Sequence, residues 1–177
     1  MANISDAYGD FMLKIVGKDM NETASLSELF KDYWKKTMCD GCCYYTEVYD
    51  WQSDVEDGDL VWRGQFNGCG RWTFEANCRN TFDWLKQGAE KSDELRKAWE
   101  EINKHYWVVE YDFQDEEGGC NVLYTMGCYV EHQPNEDRAL YNINYEDDYE
   151  YTPENLVELG FYGDIEDAKE ACGDGYE

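Results

Sequence analysis

The stretch from Leu60 to Leu85, LVWRGQFNGCGRWTFEANCRNTFDWL, changes its apolar period in the middle, and that change restricts the folds open to the chain. Leu60, Trp62, Gly64, Phe66 and Gly68 alternate with Val61, Arg63, Gln65 and Asn67, the period of two expected of a strand. The period breaks at Gly68-Cys69-Gly70, where glycine admits backbone angles that other residues avoid. It resumes after Thr73, with Phe74, Cys78, Thr81, Phe82 and Leu85 at helical spacing. A strand that turns sharply into an amphipathic helix, carrying Trp62, Phe66, Trp72, Phe74 and Phe82, supplies both a sheet and a layer to cover it.

The flanking sequence extends both layers. Residues 8–16 alternate as a first strand, with Phe11, Leu13 and Ile15 opposite Asp10, Met12 and Lys14. Ser25 and Glu28 have capping-box spacing, and Leu26, Leu29, Phe30 and Tyr33 then form a helical stripe to about Thr37. Tyr44 to Trp51, with Tyr45, Tyr49 and Trp51 on one face, is expected to pair with Leu60–Asn67 across the acidic loop Ser53–Asp59. The helix that starts at Thr73 should stop near Gly88. Ser92 caps another, with Leu95, Trp99 and Ile102 on its stripe and charge pairs such as Arg96/Glu100 along its exposed side.

Trp107, Val109, Tyr111 and Phe113 alternate up to Asp115-Glu116-Glu117-Gly118-Gly119, which reads as a turn. Val122, Tyr124, Met126, Cys128 and Val130 return from it. Ala139–Tyr145 extends this hairpin into a meander. Thr152-Pro153-Glu154 has the cap, proline and acid of a helix start, Gly160 is its expected end, and a further short helix begins at Asp164. The expected fold is a single α+β domain over residues 1–172, a mostly antiparallel twisted sheet with helices packed on it, followed by a loose tail at 173–177.

Charge bears on function. Forty acidic residues against 15 basic give a net charge of −25, and residues 109–177 hold 20 acids against 2 bases. Aromatics at 16% supply a core that disordered acidic chains lack. Such a field repels nucleic acid and anionic membranes and steers basic partners inward, so direct DNA binding is not expected. MANISDAYGDF carries no basic stretch followed by an apolar run, and no segment reaches the roughly 20 apolar residues of a membrane span. A cytoplasmic location is expected.

The run Tyr141–Tyr151, YNINYEDDYEY, is the leading candidate site. Glu146, Asp147, Asp148, Tyr149, Glu150 and Tyr151, supported by Glu154 and Glu158, offer carboxylates for a phosphate-binding channel and rigid amphipathic anchors beside them. The plain alternative is a solvated face in a protein from an acidic proteome. Asp54–Asp59 lacks the alternating ligands of an EF-hand loop. Cys39, Cys42 and Cys43 have the spacing of half a zinc site, with Cys69 and Cys78 as conceivable partners, but no second C-x-x-C follows. Free thiols are the expected state, with Cys78, Cys120 and Cys128 on apolar faces. His105 and His132 have no nucleophile beside them in sequence, and no glycine-rich nucleotide fingerprint is present, so no catalytic residue and no cofactor is expected. Arg63, Arg71 and Arg79 suit internal carboxylate partners better than phosphate.

In size, acidity and interleaving of acids with aromatics the chain resembles the DNA-mimic inhibitors of phages and mobile elements, the anti-CRISPR and antirestriction proteins. The resemblance is one of composition and charge placement, chiefly over residues 109–177. NGCGRWTFEAN is also similar to small acidic uncharacterised proteins of Gram-positive bacteria and their phages, a likeness that carries no activity. The DNA-mimic resemblance implies a non-catalytic inhibitor that fills the basic nucleic-acid groove of a defence nuclease, a Cas9-type effector first among them. An immunity or antitoxin protein against a basic toxin, a Cys/His enzyme and a housekeeping domain are the alternatives.

Overall fold

Alternation along six segments produces one sheet, and the helical stripes close over one side of it. The computed structural model describes residues 4–39, 45–56 and 58–172. Strands β1 (Ile4–Val16), β2 (Tyr45–Glu56), β3 (Asp59–Arg71), β4 (Tyr106–Glu117), β5 (Val122–His132) and β6 (Ala139–Asp148) lie in the order β2-β3-β1-β4-β5-β6. Every neighbouring pair is antiparallel. The first strand is thus central, and β2 and β6 are the edges.

Helices α1 (Met20–Thr37), α2 (Glu75–Gly88) and α3 (Asp93–Ile102) cover the inner face. They bury Phe11, Leu13 and Ile15 of β1 and Trp107, Val109, Tyr111 and Phe113 of β4. The ring of Phe11 lies 4.8 Å from Trp34 and 5.4 Å from Tyr111, and Phe74 meets Phe66 and Phe113 at 5.1 Å each. Such ring contacts add about 0.5–1.5 kcal/mol each beyond area burial. Two short helices, α4 (Pro153–Glu158) and α5 (Ile165–Cys172), sit on the outer face at one end. There Leu123, Tyr151, Leu156 and Ala168 make a second small core.

The strand-to-helix turn works because of its glycines. A Cβ on Gly68 would reach within 2.2 Å of the Phe74 ring, and one on Gly70 within 2.4 Å of the Thr73 carbonyl oxygen. Phe74 therefore folds back onto its own strand. The exposed Trp72 between them takes φ 73°.

Several boundaries differ from the sequence expectation. The cap of α1 is Asp19, whose side chain accepts from Glu22 N at 2.9 Å while Glu22 accepts from Lys18 N at 2.6 Å. Ser25 lies inside the helix and donates to the Asn21 carbonyl. The expected loop Ser53–Asp59 is mostly strand, closing at Gly58 with φ 89°. Tyr45, Tyr49 and Trp51 do not share a face, since a bulge between Tyr49 and Gln52, with Asp50 at φ 51°, turns Trp51 inward against Phe11. Arg96 on α3 and Lys104 just past its end reach back three residues to Asp93 and Glu101.

Asp115 to Glu117 continue β4 and do not turn. Asp115 is fully buried, and its Oδ2 accepts from the Phe74 N–H at 2.6 Å, tying β4 to the start of α2. Burial holds its carboxyl up at about 6, with Tyr124 and the Phe74 N–H favouring the charge. Folded protein therefore keeps this proton to a higher pH than unfolded chain does, so Asp115 lowers stability as pH rises from about 4 to about 6. At neutral pH the penalty is at most about 3 kcal/mol. Asp115→Asn should gain stability relative to the natural chain across that window, read by urea unfolding at several pH values. A difference that stays constant with pH would refute the assignment.

Candidate functional site

The meander runs further than its pattern suggested, and this decides where the acids lie. Strand β6 continues through Asp148, so most of the candidate run is the free edge of a six-stranded sheet. Residues 143–150 are all exposed. A register shift opposite Gly127/Cys128 lies between Ile143 and Tyr145. Beyond it, Glu146 and Asp148 pair with Met126 and Tyr124 and point to the inner side, whereas Tyr145 and Asp147 pair with Gly127 and Thr125 and point outward. The run is therefore split between two faces.

On the inner side Glu146 lies near the Glu75–Arg79 pair of α2, and its carboxyl is raised by partial burial and by Glu75 and Asp148, with Arg79 opposing. Arg79 contacts Glu75 at 2.5 Å and covers the Tyr141 ring at 4.8 Å. On the outer side Tyr145 lies over Gly127 and donates to Asp112 Oδ1 at 2.5 Å. Burial and the Asp112 carboxylate raise the Tyr145 hydroxyl well above its usual range.

That bond places Tyr145 at the end of a transverse row. Gln65, Asp10, Asp112 and Gly127 pair in sequence across β3, β1, β4 and β5, with Tyr145 on β6. Asp10 and Asp112 are direct cross-strand neighbours, and both are exposed. With Arg63, Glu110, Gly127 and Tyr145 they line a shallow cleft of about 230 Å³. Arg63 is held by Glu56 through two bonds of 2.9 and 2.8 Å, so it serves a carboxylate as expected.

The supporting residues fall at one end. Glu154 and Glu158 are exposed one turn apart on α4, capped by Thr152 as its sequence implied. Tyr151 is the exception among the expected anchors. It is 6% exposed, and its hydroxyl donates to Glu116 beneath the α4–α5 pair. Burial raises the Glu116 carboxyl, with Asp6 adding to the rise and Tyr151 opposing it, and burial raises Asp6 as well. Sequence reasoning missed Asp10, Glu110 and Asp112, whose only signal was their place on the polar side of two alternating strands.

The remaining candidates do not form a reactive centre among the described residues. His132 is fully buried between Phe82 and Trp107, and its ring nitrogens face the Arg138 and Asn103 carbonyls at 3.1 Å each. His105 lies 3.6 Å from Glu101. Cys39, Cys78, Cys128 and Cys172 are free thiols. The Cys39 thiol donates to the Thr46 carbonyl, and burial raises the Cys78 thiol well above its usual range. Cys120 is exposed in the β4–β5 turn, away from the apolar face expected for it. Cys42 and Cys43, needed for the zinc reading, and the tail at 173–177 lie outside the described residues, which contain no cluster of three metal-binding side chains. No described helix is long and apolar enough to cross a membrane. Two larger grooves, of about 580 and 560 Å³, lie on the helix layer beside Leu29 and Leu95 and beside Met38 and Trp84, apart from the acidic strands.

No protein-family model, curated protein or solved structure matches the chain.

Like charges directly opposite each other on neighbouring strands destabilise a sheet by up to about 1 kcal/mol. Asp10→Asn is therefore expected to raise the urea midpoint at low ionic strength, with a smaller gain in about 0.5 M salt. Lost stability in both buffers would mean that Asp10 is a satisfied ion-pair partner.

Proposed function

We propose that this chain is a non-catalytic acidic protein that occupies the basic nucleic-acid groove of a defence nuclease, with a Cas9-type effector as the first choice of target. One observation carries the reading. Glu146, Asp147 and Asp148 follow one another on an exposed, extended edge strand. A strand rises about 3.4 Å per residue and alternates its side chains, so Glu146 and Asp148 lie about 6.8 Å apart on the inner side, about two phosphate intervals of a single DNA strand, with Asp147 between them on the outer side. The pairing of β6 to a broad sheet fixes that spacing before any partner arrives. Tyr145 and Tyr149 supply exposed aromatic surface beside the charges, and the outer-face carboxylates Asp10, Glu110 and Asp112 extend the field. Glu150, Glu154 and Glu158 continue it past the end of β6.

The test is inhibition of target-DNA cleavage by purified guide-RNA nucleases and restriction enzymes, with the protein added before DNA at about 50 and 200 mM salt. Inhibition of one effector that weakens at the higher salt and vanishes when DNA is bound first is the expected result. Asp147→Lys with Asp148→Lys should reduce potency at least tenfold, because each reversal replaces an attraction with a repulsion. Circular dichroism on the same variant checks that the fold is unchanged. No inhibition of any effector, together with recovery of a basic toxin in pull-downs, would replace this reading with an immunity protein.

A further inference from the structure

Beyond its charges, β6 exposes apolar side chains along its length, as the β2 edge does at Tyr49 and Val55. Leu140 is 53% exposed, Ile143 43%, Tyr145 40% and the following Tyr149 36%. Leu140 and Tyr145 point to the outer side and Ile143 to the inner side, so apolar surface flanks the edge on both faces. The β2 edge is interrupted at Asp50, whose φ of 51° breaks its extended path, whereas β6 passes through its register shift between Ile143 and Tyr145 with no positive φ. A free edge presents unpaired main-chain donors and acceptors. The acids sit in the second half of the strand, at Glu146 to Asp148, after Leu140 and Ile143 in the first.

We propose that β6 is a strand-addition site, and that its partner contributes an extended segment, basic in one half and apolar in the other, as a seventh strand. This rests on the reading of the protein as a binder of basic partners and supplies the mode of recognition. Main-chain hydrogen bonds provide attachment, and the alternating side chains provide selectivity. All five existing pairings are antiparallel, and an antiparallel seventh strand sets its basic N-terminal half against Tyr145–Asp148 and its apolar half against Leu140–Ile143. A second copy of this chain is a poor occupant, since each copy carries −25 and offers the same acidic edge.

The probe is a capped peptide, RKRKVTITV, titrated into the full chain labelled with 15N. Two further versions carry N-methyl groups on alternate residues, so that each blocks one edge of the peptide and leaves the other intact. Amide shifts centred on residues 139–148 are expected, and the version with a blocked pairing edge should bind at least tenfold more weakly than its counterpart. Asp147→Lys with Asp148→Lys should weaken the parent peptide by a similar factor. Equal binding by all three peptides would mean that charge alone holds them and would overturn strand addition, as would shifts centred on residues 45–56 or no binding at about 50 mM salt. Nuclease inhibition with any of those outcomes would leave the proposed function standing without this mode. Strand addition without inhibition of any nuclease would reject the proposed target and keep the edge.

Discussion

The fold has to hold together against its own charge. A net −25 over 177 residues pushes the elements apart at every separation within a Debye length. What opposes it is the aromatic layer between the inner face and α1, α2 and α3, where Phe11, Trp34, Phe66, Phe74, Tyr111 and Phe113 are all buried. Surface ion pairs contribute little. Many of them, such as Lys104–Glu101 and Lys169–Glu166, join exposed residues three apart in sequence, where water and salt screen the attraction. The architecture therefore divides the work: one face of the sheet carries the cohesion, and the outer face and edges carry most of the charge. Asp115 is an exception, accepted inside the core because its carboxylate receives the Phe74 N–H at the turn where β3 becomes α2.

Much of this was legible because period and turn chemistry are local. The change of period at Gly68–Gly70, the alternation of β4 and β5, and the Thr152-Pro153 helix start all appear in the structure near their expected places. The failures share a cause, which is that they depend on partners distant in sequence. Asp115-Glu116-Glu117-Gly118-Gly119 has the composition of a turn, and only a donor 41 residues earlier keeps its first residue in a strand. At α1 two capping boxes compete, Asp19 with Glu22 and Ser25 with Glu28. The earlier one prevails and lengthens the helix, bringing Thr23 to accept from Gly17 N at 2.9 Å. Nothing in the aromatic run of β2 announces the bulge at Asp50, because its effect, the inward turn of Trp51 onto Phe11, is defined by β1 and β3.

The candidate surface was legible as composition and not as geometry. Acids between Tyr141 and Tyr151 are evident in the sequence, but edge position is a property of sheet order, and alternation then sends Glu146 and Asp147 to opposite sides. Tyr151 looked equivalent to Tyr149 because both interrupt acidic residues. The difference arises from α4 and α5, which fold back over Leu123 and draw Tyr151 beneath them. Conversely, Asp10 and Asp112 are far apart in sequence and adjacent in space, so their repulsion had no local signature.

That repulsion links the fold to the proposed activity. Carboxylates held at fixed spacing on a sheet destabilise the free protein, and a basic partner that neutralises them relieves the same unfavourable energy. Stability and affinity are therefore coupled: a ligand that binds only the folded state stabilises it in proportion to its affinity. A flexible acidic tail could spread its charges when free, but it would lose conformational entropy when a groove forced them into line. A strand already paired to β5 has that ordering supplied by folding, through the aromatic core behind it. The core that resists charge repulsion in the free protein thus also fixes the positions of the charges that the proposed partner would meet.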